Sequence, residues 1–191
     1  MALRAARSLV EKKGYQGLTA RKVAKEIGYT VGTLYLVFEN LDDLIVALNT
    51  ETVTELRLEL ERRGRACETE RERIPALAEA YIDYALKYPH RWRLAFEHRL
   101  PEGRSPPEAV TSQTDALFAM VADYLRVYAP TRGEDEIAEI ATALWSGIHG
   151  ICILALTDKL KFGKSTSLYG LATVLIDNLL AGLEATSVSS G

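Results

Sequence analysis

Gly14-Tyr15-Gln16-Gly17-Leu18-Thr19, continued by Gly28-Tyr29-Thr30-Val31-Gly32-Thr33-Leu34-Tyr35-Leu36-Val37-Phe38, is the stretch that decides the fold. Upstream of it, Lys12 and Lys13 place cations at the negative pole of a first helix, and Gly14 is free to turn left-handed behind them. Thr19 is a capping residue for a second helix. In that helix Val23, Ala24 and Ile27 form one buried stripe and leave Arg21, Lys22, Lys25 and Glu26 in solvent. Gly28 ends it. Thr30 can cap a third helix whose Leu34 and Phe38 face inward at i, i+4, while Val31, Thr33, Tyr35 and Leu36 point away. Two short helices joined by so tight a turn make a helix-turn-helix, a unit shaped to enter a DNA groove.

The charge distribution agrees. The whole chain of 191 residues has a formal charge of −3. Residues 1–38 nevertheless hold seven cations (Arg4, Arg7, Lys12, Lys13, Arg21, Lys22, Lys25) against Glu11 and Glu26, a surplus of +5, so the remainder carries −8. A basic head on an acidic body is the footprint of a DNA-reading module attached to something that does not touch DNA.

Between Glu26 and Glu39 there is no charged residue and no Asn or Gln, so the side chains best suited to bidentate contact with guanine or adenine are absent from the recognition helix. Thr30 and Thr33 remain for phosphate or base edges, Val31 and Leu36 for thymine methyls, and Tyr35 for a phosphate. Gly32 lets the backbone approach. Thr19, Arg21, Lys22 and Lys25 complete the expected DNA-binding set with sequence-independent attraction.

Beyond Phe38 the sequence keeps helical period, with no alternating strand runs and no internal repeat. Leu41, Leu44, Ile45 and Leu48 begin a helix expected to continue through Leu60 to Arg62-Arg63-Gly64. Ile74 to Tyr88 form another stripe that Pro89 terminates. A short helix around Trp92 and Phe96 follows, then a loop at 101–107, then a helix marked by Leu117, Val121 and Tyr124. The two last helices differ in kind. Ile151-Cys152-Ile153-Leu154-Ala155-Leu156 is apolar on every side, and Leu168, Leu171, Leu175 and Leu179 belong to a wide stripe. Together they offer more apolar surface than a small monomer covers, which predicts a homodimer through Ile148, Ile151, Ala155, Leu168, Leu171, Leu175 and Leu179. Ser146, Gly147 and Gly150 are small enough to let helix backbones approach.

These residues resemble the N-terminal domain of the TetR family of transcriptional regulators, whose hallmark is a Gly-hydrophobic-Ser/Thr turn followed by Gly-Thr-Leu-Tyr and Phe. Gly-Tyr-x-Gly-Leu-Thr lies at the family's distance upstream, and a Leu44-containing helix follows as its fourth helix would. Val37 and Leu41 stand where the family often has His and Lys, so no phosphate contact is assigned there. Trp145-Ser146-Gly147-Ile148-His149-Gly150 is similar to the Trp-x-x-x-His-Gly signature of one C-terminal subclass. The resemblance implies an all-α fold: an N-terminal three-helix helix-turn-helix domain (1–45), a helical ligand-binding and dimerisation domain (46–185) and a flexible tail (186–191). It also implies that the last two helices of each subunit form a four-helix dimer interface. The function implied is ligand-responsive repression from a dyad operator in double-stranded DNA. The alternatives weighed are an architectural or division-control protein of the same fold without a small effector, and, remotely, a helical enzyme.

Catalysis has little support in the residues. His90, His98 and His149 lack any Ser, Cys or carboxylate pattern of a nucleophile or metal arrangement. No metal or cofactor is expected. Cys67 and Cys152 are two cysteines without metal spacing, and no disulfide framework follows from them. No apolar run is expected to reach the length of a membrane span, which makes a cytoplasmic protein the expectation. Tyrosines, tryptophans and one histidine on helical stripes offer the mixed surface that a small organic ligand favours. Tyr81, Tyr84, Trp92, Phe96, Phe118, Tyr124, Trp145 and His149 are therefore the candidate effector contacts, for a largely apolar or aromatic molecule.

Overall fold

The computed structural model describes residues 1–162 and 167–188. Among them the regular structure is helical throughout: α1 (Ala2–Lys13), α2 (Ala20–Glu26), α3 (Val31–Leu34), α4 (Leu41–Arg65), α5 (Arg73–Lys87), α6 (Pro89–Glu97), α7 (Glu108–Leu125), α8 (Glu134–Leu156) and α9 (Leu168–Val188), with short 3-10 turns between some of them. Residues 186–188, expected in the tail, continue α9, and 189–191 lie outside the described residues.

The caps form as their residue types require. Gly14 closes α1 at φ +67° and Gly28 follows α2 at φ +75°, the left-handed region where a Cβ is penalised. Thr19 Oγ1 accepts the amide of Lys22, and Thr30 Oγ1 accepts that of Thr33, each at 3.2 Å. Pro89 occupies the first turn of α6, where its missing N–H costs nothing.

The chain divides into two compact units. The first contains Met1–Leu56 and Lys87–Thr114, the second Arg57–Leu86 and the described part of Asp115–Gly191. This differs from a boundary after residue 45, because α6 returns to the N-terminal core. Leu94 of α6 is buried with Val10 of α1, Val23 of α2, Leu34 of α3 and Leu44 and Leu48 of α4. Beside it Arg91 is 2% exposed and is held by Glu55 Oε2 at 2.6 Å, Glu11 Oε1 at 3.3 Å and Thr52 Oγ1 at 3.4 Å. Arg7 of α1 also pairs with Glu55, and with Glu51 at 3.0 Å. Burial works against Glu55's ionisation, but the hydrogen bond and charge of Arg91, with those of Arg7, outweigh it and hold the carboxyl below its ordinary value. The start of α4 is fastened similarly: Asn40 Oδ1 accepts the Asp43 amide at 3.0 Å, His98 Nε2 meets Asp42 at 3.0 Å, and Arg104 donates to Asp43 at 2.7 Å.

In the second unit Ile74, Leu77 and Ile82 of α5 are buried with Leu117 of α7, Leu144 and Ile148 of α8, and Ala172, Ile176 and Leu180 of α9. α8 packs on α9. Gly147 is the close-approach point, since a Cβ there would lie 2.5 Å from Leu175 Cδ2. The outer faces of both helices remain apolar: Leu154 is 42% exposed and Val174 61%. By length and composition alone both helices could cross a membrane, with mean hydropathy of 1.6 and 1.3 over their most apolar windows. That corrects the reading that no stretch reaches such a length. In α8, for example, Thr142, Ser146 and His149 interrupt the apolar run in sequence without ending the helix.

Candidate nucleic-acid interface and effector cavity

The helix-turn-helix presents its outward residues to solvent. Leu34 is buried at 4% exposure, whereas Leu36 on the same short segment is 85% exposed. An exposed leucine of this kind gains nothing from the fold, so its apolar surface is available to a partner. Thr19, Arg21, Lys22, Lys25, Thr30, Gly32, Thr33 and Tyr35 are also exposed, and Val31 is half-buried. Thr30 and Thr33 share a hydroxyl–hydroxyl hydrogen bond of 3.0 Å, which orients both Oγ1 atoms at the start of α3. Lys22 Nζ folds back onto the Gly17 carbonyl at 3.1 Å, so its cation lies over the α1–α2 turn. Tyr29 was not singled out from sequence and Val37 was set aside as a phosphate contact, yet they are 55% and 76% exposed. Both flank the recognition segment, and an apolar residue without a place in the Leu34/Phe38 stripe was the available signal.

This surface can take sequence-independent contacts from lysine, arginine and hydroxyl groups and apolar contacts from Leu36, Val37 and Val31. Bidentate base recognition would have to come from other elements.

The eight candidate effector contacts divide. Tyr81, Phe118, Trp145 and His149 come together in the second unit. The Trp145 and Phe118 rings meet edge-on at 5.6 Å between centroids, and Trp145 and His149 lie 5.0 Å apart. Trp145 Nε1–H donates to Tyr81 Oη at 3.3 Å, and Tyr81 Oη lies 2.8 Å from His149 Nδ1. An indole N–H can only donate, so the hydroxyl accepts from it and shares its second hydrogen bond with the imidazole nitrogen. Tyr81, Phe118 and Trp145 also line a cavity of about 50 Å³ with Leu60, Leu77 and Leu144. Such a volume holds one or two waters, less than a drug-sized ligand needs.

The other four stand elsewhere. Trp92 and Phe96 belong to α6 in the first unit, where Trp92 is fully buried and the two rings pack at 5.4 Å. That corrects their assignment to the effector site: α6 is recruited by the N-terminal core. Tyr84 is buried without lining the cavity. Tyr124 lies over Gly64, with the Arg73 guanidinium 4.9 Å from its ring centre. Aromatic spacing alone does not distinguish these packing roles from a pocket.

Of the expected dimer contacts, Ile151, Ala155, Leu168, Leu171, Leu175 and Leu179 are half-buried along α8 and α9. Ile148 is 4% exposed and lines the cavity, so it is corrected to an interior residue. Val174 was missed, although it continues the Leu171 stripe by three residues. Burial pushes the Cys152 thiol up to about 12, which leaves it without thiolate reactivity near neutral pH. Among the described residues no three His, Cys, Asp or Glu side chains gather as a metal site.

The comparisons with known proteins agree with this geometry. Residues 2–48 match the model for bacterial regulatory proteins of the tetR family, and residues 74–179 match that for the tetracyclin repressor-like C-terminal domain. An uncharacterised HTH-type transcriptional regulator of Mycobacterium tuberculosis is 27% identical over 184 residues, 96% of this chain and 80% of that protein. Among solved structures, a protein of unknown function from Rhodococcus sp. RHA1 is similar with a TM-score of 0.77 and 25% identity, covering 95% of this chain and 92% of the other. The transcriptional regulator FadR of Bacillus subtilis, solved in complex with stearoyl-CoA, shares the fold at a TM-score of 0.70 and 16% identity, covering 95% and 97% of the two chains. The exposed recognition segment on a buried three-helix core, joined by α4 to a second helical unit and matched by both domain models, identifies the chain as a member of the TetR family of DNA-binding transcriptional regulators.

Proposed function

We propose that this regulator is a cytoplasmic homodimeric repressor that a small, largely apolar or aromatic molecule releases from a dyad operator. The observation that carries the reading is the hydrogen-bonded pair Trp145 and Tyr81 on the wall of an otherwise apolar cavity, with His149 behind them on the Tyr81 hydroxyl. Apolar walls supply affinity and a few fixed polar groups supply orientation, which is the composition of a ligand pocket. The stearoyl-CoA carried by the Bacillus subtilis FadR structure supports a ligand-binding role for a protein of this fold. The ligand need not resemble that one.

Because the cavity has room for about 50 Å³, a ligand must open it by turning Phe118 and Trp145 aside. Binding therefore selects a rearranged second unit. α4 is one continuous helix, Leu41–Arg65, that carries the cavity residue Leu60, and it is the element proposed to relay the change. If the ligand-bound arrangement fits the operator less well, DNA must weaken ligand binding by the same factor. Dimerisation through the outer faces of α8 and α9 would cover Leu154, Val174 and their half-buried neighbours and present two recognition segments to one dyad.

The reading is tested by titrating an aromatic small-molecule library into the protein while following tryptophan fluorescence, with Trp92→Phe isolating the Trp145 signal, and operator release together. Hits should quench and release in wild type, and Tyr81→Phe should weaken both. Ligands that quench without any effect on DNA binding would refute the coupling.

A further inference from the structure

A cleft of about 410 Å³ opens in the first unit between the end of α1, the Tyr15–Gly17 turn, and α6 with the two residues after it. None of the residues assigned above to DNA or effector lines it. Its charged lining is Lys13, Arg93, Arg99 and Glu97, a formal surplus of two cations, with the imidazoles of His90 and His98 beside them. Glu97 is already engaged: Arg93 forks onto its two carboxylate oxygens at 2.8 and 3.0 Å. Lys13 and Arg99 make no ion pair among the described residues, although both are exposed and both line the cleft. Gly14 leaves the floor bare, since a Cβ there would sit 3.3 Å from His90 Nδ1.

Two unneutralised cations in a concave site focus positive potential into it, and the volume lies in the range of small-molecule sites. We infer that this cleft binds a small phosphorylated anion, held by Lys13 and Arg99 with Gln16 and His90 as further donors. A dianionic phosphoryl group matches the two free charges, and its several oxygens match donors arriving from α1, the turn and α6. Because α6 packs directly on α1, a bound anion ties together two elements of the same unit and stabilises it.

The test is calorimetric titration of pyrophosphate into the full chain at fixed ionic strength. The expected result is saturable binding of one pyrophosphate per subunit, weakened roughly tenfold by Lys13→Gln or by Arg99→Gln and lost in the double variant. Arg62→Gln, which removes an exposed cation of the second unit, should bind as wild type does. Both cleft side chains are exposed, so the variants should melt as wild type does without ligand. Non-saturable heats, or equal affinity in all these proteins, would overturn the site as mere charge screening. A tenfold loss of operator affinity in Lys13→Gln and Arg99→Gln without pyrophosphate would overturn it too, since the cleft would then be a contact for the DNA backbone. The titration does not involve Tyr81 or Trp145, so its failure is distinguishable from failure of the effector reading.

Discussion

Leu34 and Thr33 are adjacent residues with opposite fates, one buried in the three-helix core and the other exposed, its hydroxyl bonded to that of Thr30. Thr33→Ala and Tyr35→Ala should therefore weaken operator binding and leave the melting temperature nearly unchanged. Leu34→Ala should destabilise the protein by roughly 2–5 kcal/mol through transfer and cavity terms. Paired melting and DNA-binding measurements check both; the opposite pattern would mean that the segment faces the other way. Arg91 and Glu55 make a second test at this scale. Glu55's carboxyl is held below its ordinary value of 4.5, so its contribution to stability is fully present above that value and is lost as pH falls through the lowered one. Urea unfolding from pH 6 to pH 3 should show wild type losing stability more steeply than Glu55→Gln. Equal slopes would mean that the network does not favour the charged form. The inward and outward residues of the helix-turn-helix were legible because capping and helical period are local signals. The Arg91 network was not, since its partners lie 36 and 80 residues away and no local pattern records such a pairing.

The elements show the same division between local and distant causes. Caps, the loop at 101–107 and the breaks at Gly14, Gly28 and Pro89 were readable, because each depends on one residue's backbone chemistry. The recruitment of α6 to the first unit was not, and it explains why Trp92 and Phe96 looked like pocket residues: an amphipathic helix does not declare which core it joins. Gly17 illustrates a contact that follows from packing rather than from the turn itself. A Cβ there would lie 2.4 Å from Lys13 Cβ, an atom that cannot move without α1. Gly17→Ala should consequently cost about 1–3 kcal/mol in chemical denaturation, whereas unchanged stability would show that α1 and the turn can separate freely. On α9 the inner residues Ala172, Ile176 and Leu180 are covered, but Val174 is 61% exposed. Val174→Glu should therefore leave the subunit folded by circular dichroism and shift sedimentation from dimer to monomer. An intact dimer would exclude this stripe from the interface. Leu175 is a poorer probe, because its side chain is already seated on Gly147 of the same chain.

For the whole molecule, the proposed reading has the basic head supply phosphate contacts and the recognition segment supply hydroxyl and apolar ones. Operator affinity should fall steeply with salt, and Lys25→Ala should weaken all DNA sequences about equally. Removing a thymine methyl with uracil at a contacted position should cost on the order of 1 kcal/mol or less. If uracil substitution were silent throughout the operator, the face carrying Val31 and Leu36 would not read bases. The proposed recognition of a dyad needs two such heads joined through the outer faces of α8 and α9. Its most direct measurement is selection of bound sequences from random DNA, followed by footprinting of wild type, Thr33→Ala and Val174→Glu on the selected site. The expected result is an inverted-repeat site with two protected half-sites spaced by about one helical turn or a multiple of it, and loss of that protection in both variants. Selection of a single asymmetric half-site, or undiminished protection by Val174→Glu as a monomer, would contradict it.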